Sequence, residues 1–162
     1  METIIRKAGK KDSKAIHNLI KELAIFEKEP DSVKISVLDI ENHGFGSNPL
    51  FECIVAEISN KVVGMALYYP RYSTWRGPTF HLEDLIVSEK YKGKGIGTKL
   101  YSAFIRQSYK AGVQRIEWNV LNWNTPAVNF YKNSGATVLD DWDTVQMHRL
   151  EMEKYLNSLK ES

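Results

Sequence analysis

The stretch Lys92-Gly93-Lys94-Gly95-Ile96-Gly97-Thr98 leaves this chain few ways to fold around it. The apolar run Leu85-Ile86-Val87 before it reads as strand, and an apolar-periodic stretch follows it, with Ile96, Leu100, Phe104 and Ala111 near one stripe. A strand must therefore enter a tight glycine turn and leave it as a helix. Alternating glycines let the backbone bend sharply and let a ligand approach without meeting a Cβ. The helix behind them points unsatisfied N–H groups and the positive end of its dipole into the turn. That is the construction of an anion site, most often a phosphate site. Two familiar nucleotide loops do not fit. The order Gly97-Thr98-Lys99 lacks the Gly-Lys-Ser/Thr ending of a P-loop. Counting from Gly93, the sixth position of a dinucleotide fingerprint is Thr98 rather than glycine. On these residues alone, a plain strand-to-helix turn without a ligand stays open.

The remaining elements follow from periodicity and breakers. Thr3 to Ala8 reads as a short strand, and Asp12 as the N-cap of a helix that carries Ile16, Leu19, Ile20 and Leu23 on one face and ends near Phe26-Glu27. Ser36 to Asp39 resembles a capping box for a second, shorter helix, with a loop over His43 to Pro49. Phe51 to Ile58 and Val62 to Tyr69 form an antiparallel hairpin around Ser59-Asn60-Lys61. Arg71 to Pro78 is expected to be a loop, and Thr79 to Val87 the strand entering the glycine turn. The helix from Ile96 to Lys110 stops at Gly112, and Gln114 to Leu121 is a further strand. Thr125 caps a helix with Pro126 at its first position and Gly135 at its end. Ala136 to Leu139 and Thr144 to Leu150 read as final strands, before a charged tail helix from about Glu151. This order gives an α/β fold with a mixed sheet.

Composition narrows the function classes. A chain of 162 residues with 43% apolar and 26% charged residues is expected to form a single domain over 1–162 with a proper core. A net charge of +2 argues for neither nucleic acid nor a membrane surface. Cys53 is the only cysteine, so it makes no disulfide within the chain and fits a small core residue in a reducing compartment. The N-terminus lacks the apolar region of a signal peptide, and no apolar run has membrane-spanning length, so a cytoplasmic location is expected. His17, His43, His81 and His148 show no metal-ligand spacing, and no metal is expected.

Two motifs then point to a family. Lys92 to Gly97, read as Arg/Gln-x-x-Gly-x-Gly/Ala with lysine at the first position, resembles the acetyl-CoA pyrophosphate loop of the GNAT superfamily of N-acetyltransferases. Asn124 to Ala136 resembles that superfamily's Asn-x-x-Ala-x-x-Phe-Tyr-x-x-x-Gly-Ala segment. Leu19 to Ala24, Asp39 to Gly46, Leu82-Glu83-Asp84 and Tyr91-Lys92-Gly93 are similar to the spermidine/spermine (diamine) acetyltransferase group, and the likeness covers nearly the whole chain. Phe26-Glu27-Lys28, Val33 to Ser36 and Tyr72 to Trp75 resemble the thialysine N-epsilon-acetylating type, because polyamine enzymes tend to carry Asp-Pro where Ser73-Thr74 stand. The resemblance implies the GNAT fold, a central mixed sheet whose splayed strands hold CoA, with helices on both faces. It implies acetyl-CoA as acyl donor, a small cationic primary amine as acceptor (thialysine or a lysine-like diamino acid, or else a polyamine) and a homodimer. The rival of another class is a non-catalytic CoA-binding module; acetylation of protein lysines is a third reading.

The chemistry assigns roles. A free alkylamine has a pKa near ~10, so a proton must be removed at neutral pH, the oxyanion supported and the departing thiolate protonated. The resemblance implies Glu83 as the base, acting through water, and Tyr131 as the acid. Asp84 points the other way by strand alternation and could share an amine with Glu83 only if the strand were bulged. The backbone of Leu85, Ile86 and Val87 is expected to pair with pantetheine amides, as in strand addition to a sheet edge. Lys92, Gly93, Lys94, Gly95, Ile96, Gly97 and Thr98 would hold the pyrophosphate, with Lys94 and Lys99 near the outer phosphates. Asn124, Thr125, Pro126 and Ala127, with Tyr131, would hold the pantetheine arm. Phe26, Glu27, Glu83, Glu117, Trp118, Asn119 and Asp143 are candidates for recognising the cationic substrate. Ser73 and Thr74 either bond an amino acid's α-groups or simply build a turn.

Overall fold

In a computed structural model, residues 2–159 are described. They fall into two compact units, the first ending at Leu121 and the second beginning at Asn122. The first unit is built on five strands: β1 (Ile4–Lys7), β2 (Glu52–Ile58), β3 (Lys61–Ser73), β4 (Gly77–Val87) and β5 (Ile116–Glu117). They lie side by side in chain order. The first three pairings are antiparallel and β4–β5 is parallel, so the sheet is mixed, as expected from sequence.

Strand alternation gives this sheet two apolar faces. On one, α1 (Ser13–Phe26) and α2 (Val37–Phe45) bury Ile16, Leu19 and Ile40 against Cys53, Val55, Met65, Leu67 and Ile86. On the other, α3 (Ile96–Lys110) buries Ile96, Leu100 and Phe104 against Ala56, Ala66, Tyr68, Leu82 and Val87. Each such side chain contributes about 2 kcal/mol when fully withdrawn from water. Gly64 permits the close seating of α3: a Cβ there would lie 2.8 Å from the Ile86 carbonyl oxygen and 3.1 Å from Leu100 Cδ1.

Several expected boundaries shift, each for a local reason. Asp12 stands at the N-cap position of α1, as expected, but its side chain makes no capping hydrogen bond to that helix. Asp12 ends a 3-10 turn, where its carboxylate accepts from Gly9 N–H at 2.8 Å and from both terminal nitrogens of Arg6 at 2.8 and 2.9 Å. Ser36 does cap α2, its hydroxyl accepting from Asp39 N–H while the Asp39 carboxylate accepts from Ser36 N–H; α2 then runs through His43 and Gly44 to Phe45, residues expected in a loop. The expected loop Arg71 to Pro78 is mostly strand, because the β3–β4 ladder continues through Arg71–Thr79 and Tyr72–Pro78 to Ser73–Gly77. The strand expected from Gln114 to Leu121 shrinks to Ile116–Glu117. Trp118 leaves the ladder to pack edge-on against Tyr101 of α3, with ring centroids 5.7 Å apart.

The second unit contains α4 (Thr125–Asn133) and α5 (Arg149–Ser158). Asn124, rather than Thr125, is the N-cap of α4, its side-chain oxygen facing Ala127 N–H at 3.5 Å. The two strands expected between Ala136 and Leu150 are not formed. An alternating apolar pattern becomes strand only when its backbone finds a ladder partner. Here Leu139 and Val145 stay solvent-exposed, and Arg149-Leu150 already belong to α5.

Candidate functional site

The glycine turn takes the shape its sequence requires. Gly93 and Gly95 have φ of +75° and +72°, in the left-handed region that side chains disfavour. Gly95 is the N-cap of α3, and the first helical bond runs from Lys99 N–H to the Gly95 carbonyl. Ile96, Gly97 and Thr98 therefore have no acceptor within the helix and present their N–H groups to the turn. A Cβ on Gly97 would meet only Val87 Cγ2, at an ordinary 3.8 Å, so the packing of the chain does not itself demand glycine there. A bare backbone cradle at a helix N-terminus fits a phosphorylated ligand such as the pyrophosphate of acetyl-CoA. Lys92 is partly engaged by the protein, with Nζ 2.6 Å from Glu89 and 4.9 Å above the Phe26 ring. Lys94 Nζ lies 5.4 Å from the Tyr91 ring centre. Glu22 of α1 accepts from Glu89 N–H at 2.8 Å, which ties α1 to the approach of the turn.

Upstream, β4 carries a bulge where the sequence places its chemistry. Tyr68 pairs with Leu82 and Leu67 with Asp84, so Glu83 is the extra residue. The insertion resets the alternation. Tyr69 and His81 are directly paired, and Leu67 pairs with Asp84, all on the face covered by α1. Glu83 joins them, since its carboxylate accepts from Tyr69 O–H at 3.0 Å. The condition under which Glu83 and Asp84 share a face is thus met. Glu27 closes the group from the C-terminus of α1: the charge of Glu83 acts on its carboxyl, and its own charge acts on Asp84.

Crowding three carboxylates has a measurable cost. Asp84 is pushed up to about 7, first by burial and then by the charges of Glu83 and Glu27. Glu27 is open to solvent on one side, yet neighbouring atoms and then Glu83 raise it above the usual carboxylate range. A carboxyl that holds its proton more tightly folded than unfolded makes stability decline as pH rises from ~4 to about 7, with no further loss above. Asp84→Asn is therefore expected to stabilise the protein at pH 8 by up to about 4 kcal/mol, or about 8–16 °C in Tm, and to leave it nearly unchanged at pH 4. Thermal melts at the two pH values check this; equal melting of both proteins at pH 8 would show that Asp84 bears no such burden.

A second polar layer lies behind the bulge. The Tyr69 ring stacks on His81 at 5.2 Å between centroids. His81 is buried, with Nε2 3.7 Å from Glu83 and Nδ1 4.0 Å from Glu117. Glu117 is in turn paired with Arg71 and lies 3.2 Å from Arg115 Nε. Two arginines thus already answer the charge of this candidate substrate group. Sequence reasoning missed Tyr69 and ranked Asp84 second; only the bulge, which leaves no mark in the residue pattern, brings both to Glu83. Ser73 Oγ accepts from Trp75 and Arg76 N–H at 3.2 Å each, so it builds the hairpin tip.

The edge of β4 beyond the bulge is open toward β5. The two strands pair only at Phe80–Ile116 and His81–Glu117, while β4 continues through Leu85 and Ile86 to Val87. This splay leaves the backbone of those residues unpaired on the β5 side, the condition that strand addition of an extended ligand requires. Trp118 is half-buried and Asn119 exposed just after β5. In the second unit, Asn124, Thr125, Pro126 and Ala127 form the first turn of α4. Tyr131 is half-buried on that helix with its ring 5.5 Å from Phe130, and Asp143 is exposed outside regular structure.

Known proteins resemble this chain in sequence and in fold. The family model described as "Acetyltransferase (GNAT) family" matches residues 14–136. A mouse protein named thialysine N-epsilon-acetyltransferase is 42% identical over 159 residues, covering 93% of this chain and 94% of that protein. A human spermidine/spermine N(1)-acetyltransferase-like protein 1 is 32% identical over 94% of this chain and 23% of its own length. Among solved structures, an integron cassette protein from the mobile metagenome of V. cholerae superposes with a TM-score of 0.77 at 23% identity, covering 96% of this chain and 98% of that one.

Proposed function

The chain belongs to the acetyltransferase (GNAT) family, and from that premise we propose that it acetylates the side-chain amine of thialysine or of a lysine-like diamino acid. Its relatives support an enzyme that transfers acetyl from acetyl-CoA to a small amine. The observation that carries the finer reading is the β4 bulge, which gathers Glu83 and Asp84 on one face beside Glu27, on the strand that leads into the glycine turn. Bound acetyl-CoA supplies an activated acyl group on a thioester. The residues do the rest. The turn from Lys92 to Thr98 holds the pyrophosphate through backbone N–H groups. The open edge at Leu85, Ile86 and Val87 holds the pantetheine arm. Glu27 and Asp84 attract the cationic acceptor, helped by Phe26, Trp118 and Asn119. Glu83 removes a proton from the ammonium through water, and Tyr131 protonates the departing sulfur.

The same reading makes the protein a cytoplasmic homodimer that needs neither nucleic acid nor a membrane. The net charge of +2 fits, and no helix among the described residues is long and apolar enough to cross a bilayer. A polyamine acceptor is the second reading, favoured by the carboxylate cluster itself, which offers more negative charge than one ammonium requires. The test is release of CoA thiol from acetyl-CoA with a panel of thialysine, lysine, ornithine, putrescine and spermidine. Turnover greatest with thialysine or lysine supports the proposal. Greater turnover of spermidine replaces it with the polyamine reading, and tight CoA binding without turnover of any amine reduces the chain to a binding module.

A further inference from the structure

We propose that His81 is a positioning residue for the transfer step, receiving on Nε2 the proton that Glu83 takes from the amine. The inference rests on Glu83 as the base and goes one step beyond it. Overall, an alkylammonium gives up one proton to the leaving sulfur and one to solvent when it becomes an amide. The second must leave Glu83 before the next turnover, and the structure provides a place for it.

The geometry is specific. One oxygen of Glu83, Oε2, accepts from Tyr69 O–H at 3.0 Å and lies 3.7 Å from His81 Nε2. The Tyr69 ring stacks on the imidazole at 29° between planes, so one tyrosine fixes both the carboxylate oxygen and the ring that faces it. Glu83 is itself 53% exposed, free to turn the remaining distance toward Nε2. On the far side, Nδ1 is buried without a hydrogen-bond partner, and Glu117 Oε1 stands 4.0 Å away. A buried polar atom left unpaired costs stability. Protonation of the ring gives this one a purpose, because both N–H groups of the imidazolium then face a carboxylate, Glu83 on one side and Glu117 on the other.

The groups around the ring set its resting state. Burial holds its pKa below the ordinary imidazole value, Glu83 on β4 acts against that, and Arg71 on β3 adds to it. Glu117 on β5 faces Nδ1, with its charge shared between Arg71 and Arg115. Tyr69 on β3 is itself held up to about 12 and stays neutral. The ring is therefore neutral at pH 7, as a proton acceptor must be. The relay requires the resting tautomer with hydrogen on Nδ1, on the side of Glu117, which leaves the Nε2 lone pair toward Glu83. The proton passes from the ammonium to Glu83, then to Nε2, and from the flanked imidazolium to water, which restores both groups.

His81→Gln tests this. Its amide nitrogen can still hydrogen-bond Glu83 but cannot accept a proton at neutral pH. With a melting temperature near the parent's, kcat is expected to fall about tenfold, less than the ~10²–10⁴ of a direct base, with KM for the amine within twofold. The parent's kcat should decline in acid along a limb below ~6.5, which the variant lacks. A variant that keeps kcat within twofold of the parent, or keeps that limb, overturns the proposal. Nitrogen NMR of the parent gives a reading that does not depend on the variant folding: a neutral Nδ1–H tautomer supports the relay, and an Nε2–H tautomer overturns it. Failure of the underlying reading looks different. If Glu83→Gln turns over like the parent, Glu83 is not the base; if Glu83→Gln is crippled while His81→Gln is not, only the relay falls.

Discussion

Glu83→Gln is expected to lower kcat for acetyl transfer by about 10²–10⁴-fold, the usual worth of a positioned base. Its KM for acetyl-CoA should stay within twofold, because the turn to which we assign the donor is backbone built on Gly93, Gly95 and the start of α3. The acceptor is an ammonium with a pKa of ~10.4 at neutral pH, so the loss should shrink as pH rises toward 10 and more amine arrives deprotonated. The fold should survive, since Glu83 is the unpaired residue of a bulge, lies more than half in water, and adds charge to a cluster that already raises Asp84 and Glu27. A steady-state pH–rate profile of the variant checks all of this. A Glu83→Gln enzyme within threefold of the parent at pH 7, beside a crippled Asp84→Asn, would move the base by one residue along the bulge.

Tyr131→Phe is expected to cost about 10²-fold in kcat with no more than a threefold change in the dissociation constant for CoA. A phenol keeps its proton until pH ~10, above the ~8.5 of an ordinary thiol, so it can hand that proton to a departing sulfur across the neutral range. Phenylalanine keeps the ring and its edge contact with Phe130, and α4 keeps its Asn124 cap, so the loss isolates the hydroxyl. Binding by calorimetry and turnover by thiol release separate the two roles. Weakened CoA binding with unchanged kcat would make Tyr131 a packing residue of the pantetheine arm and nothing more.

How far the sequence could be read depended on whether a property was local. The α3 boundaries, Ile96 and Lys110, follow from a glycine turn at one end and an apolar stripe that stops at Gly112. The Ser36–Asp39 capping box is equally local and appears as expected. What the pattern did not show was which partners a group would take. Asp12 does stand at the N-cap position of α1, but Arg6 and Gly9, six and three residues before it, take its carboxylate. Ala136 to Leu150 has strand-like composition but no ladder to join. The site divides the same way. The strand-to-helix geometry of the glycine turn was legible because its motif is contiguous. The partnership of Glu83 with Asp84 and Tyr69 was not, because one inserted residue in a β ladder changes which side chains share a face without changing their identity.

The central claim is that this chain moves acetyl from acetyl-CoA to the side-chain amine of a lysine-like acceptor, and competition measures it most directly. Purified protein would be given acetyl-CoA and an equimolar mixture of thialysine, lysine, putrescine and spermidine, and the initial products resolved by mass. In such a mixture the product ratios report kcat/KM for each acceptor. We predict monoacetylated thialysine or lysine in at least about tenfold excess over acetylated spermidine, a difference of ~1.4 kcal/mol in transition-state binding. Acetylspermidine as the dominant product, or no acetylated amine while CoA binds, would contradict it.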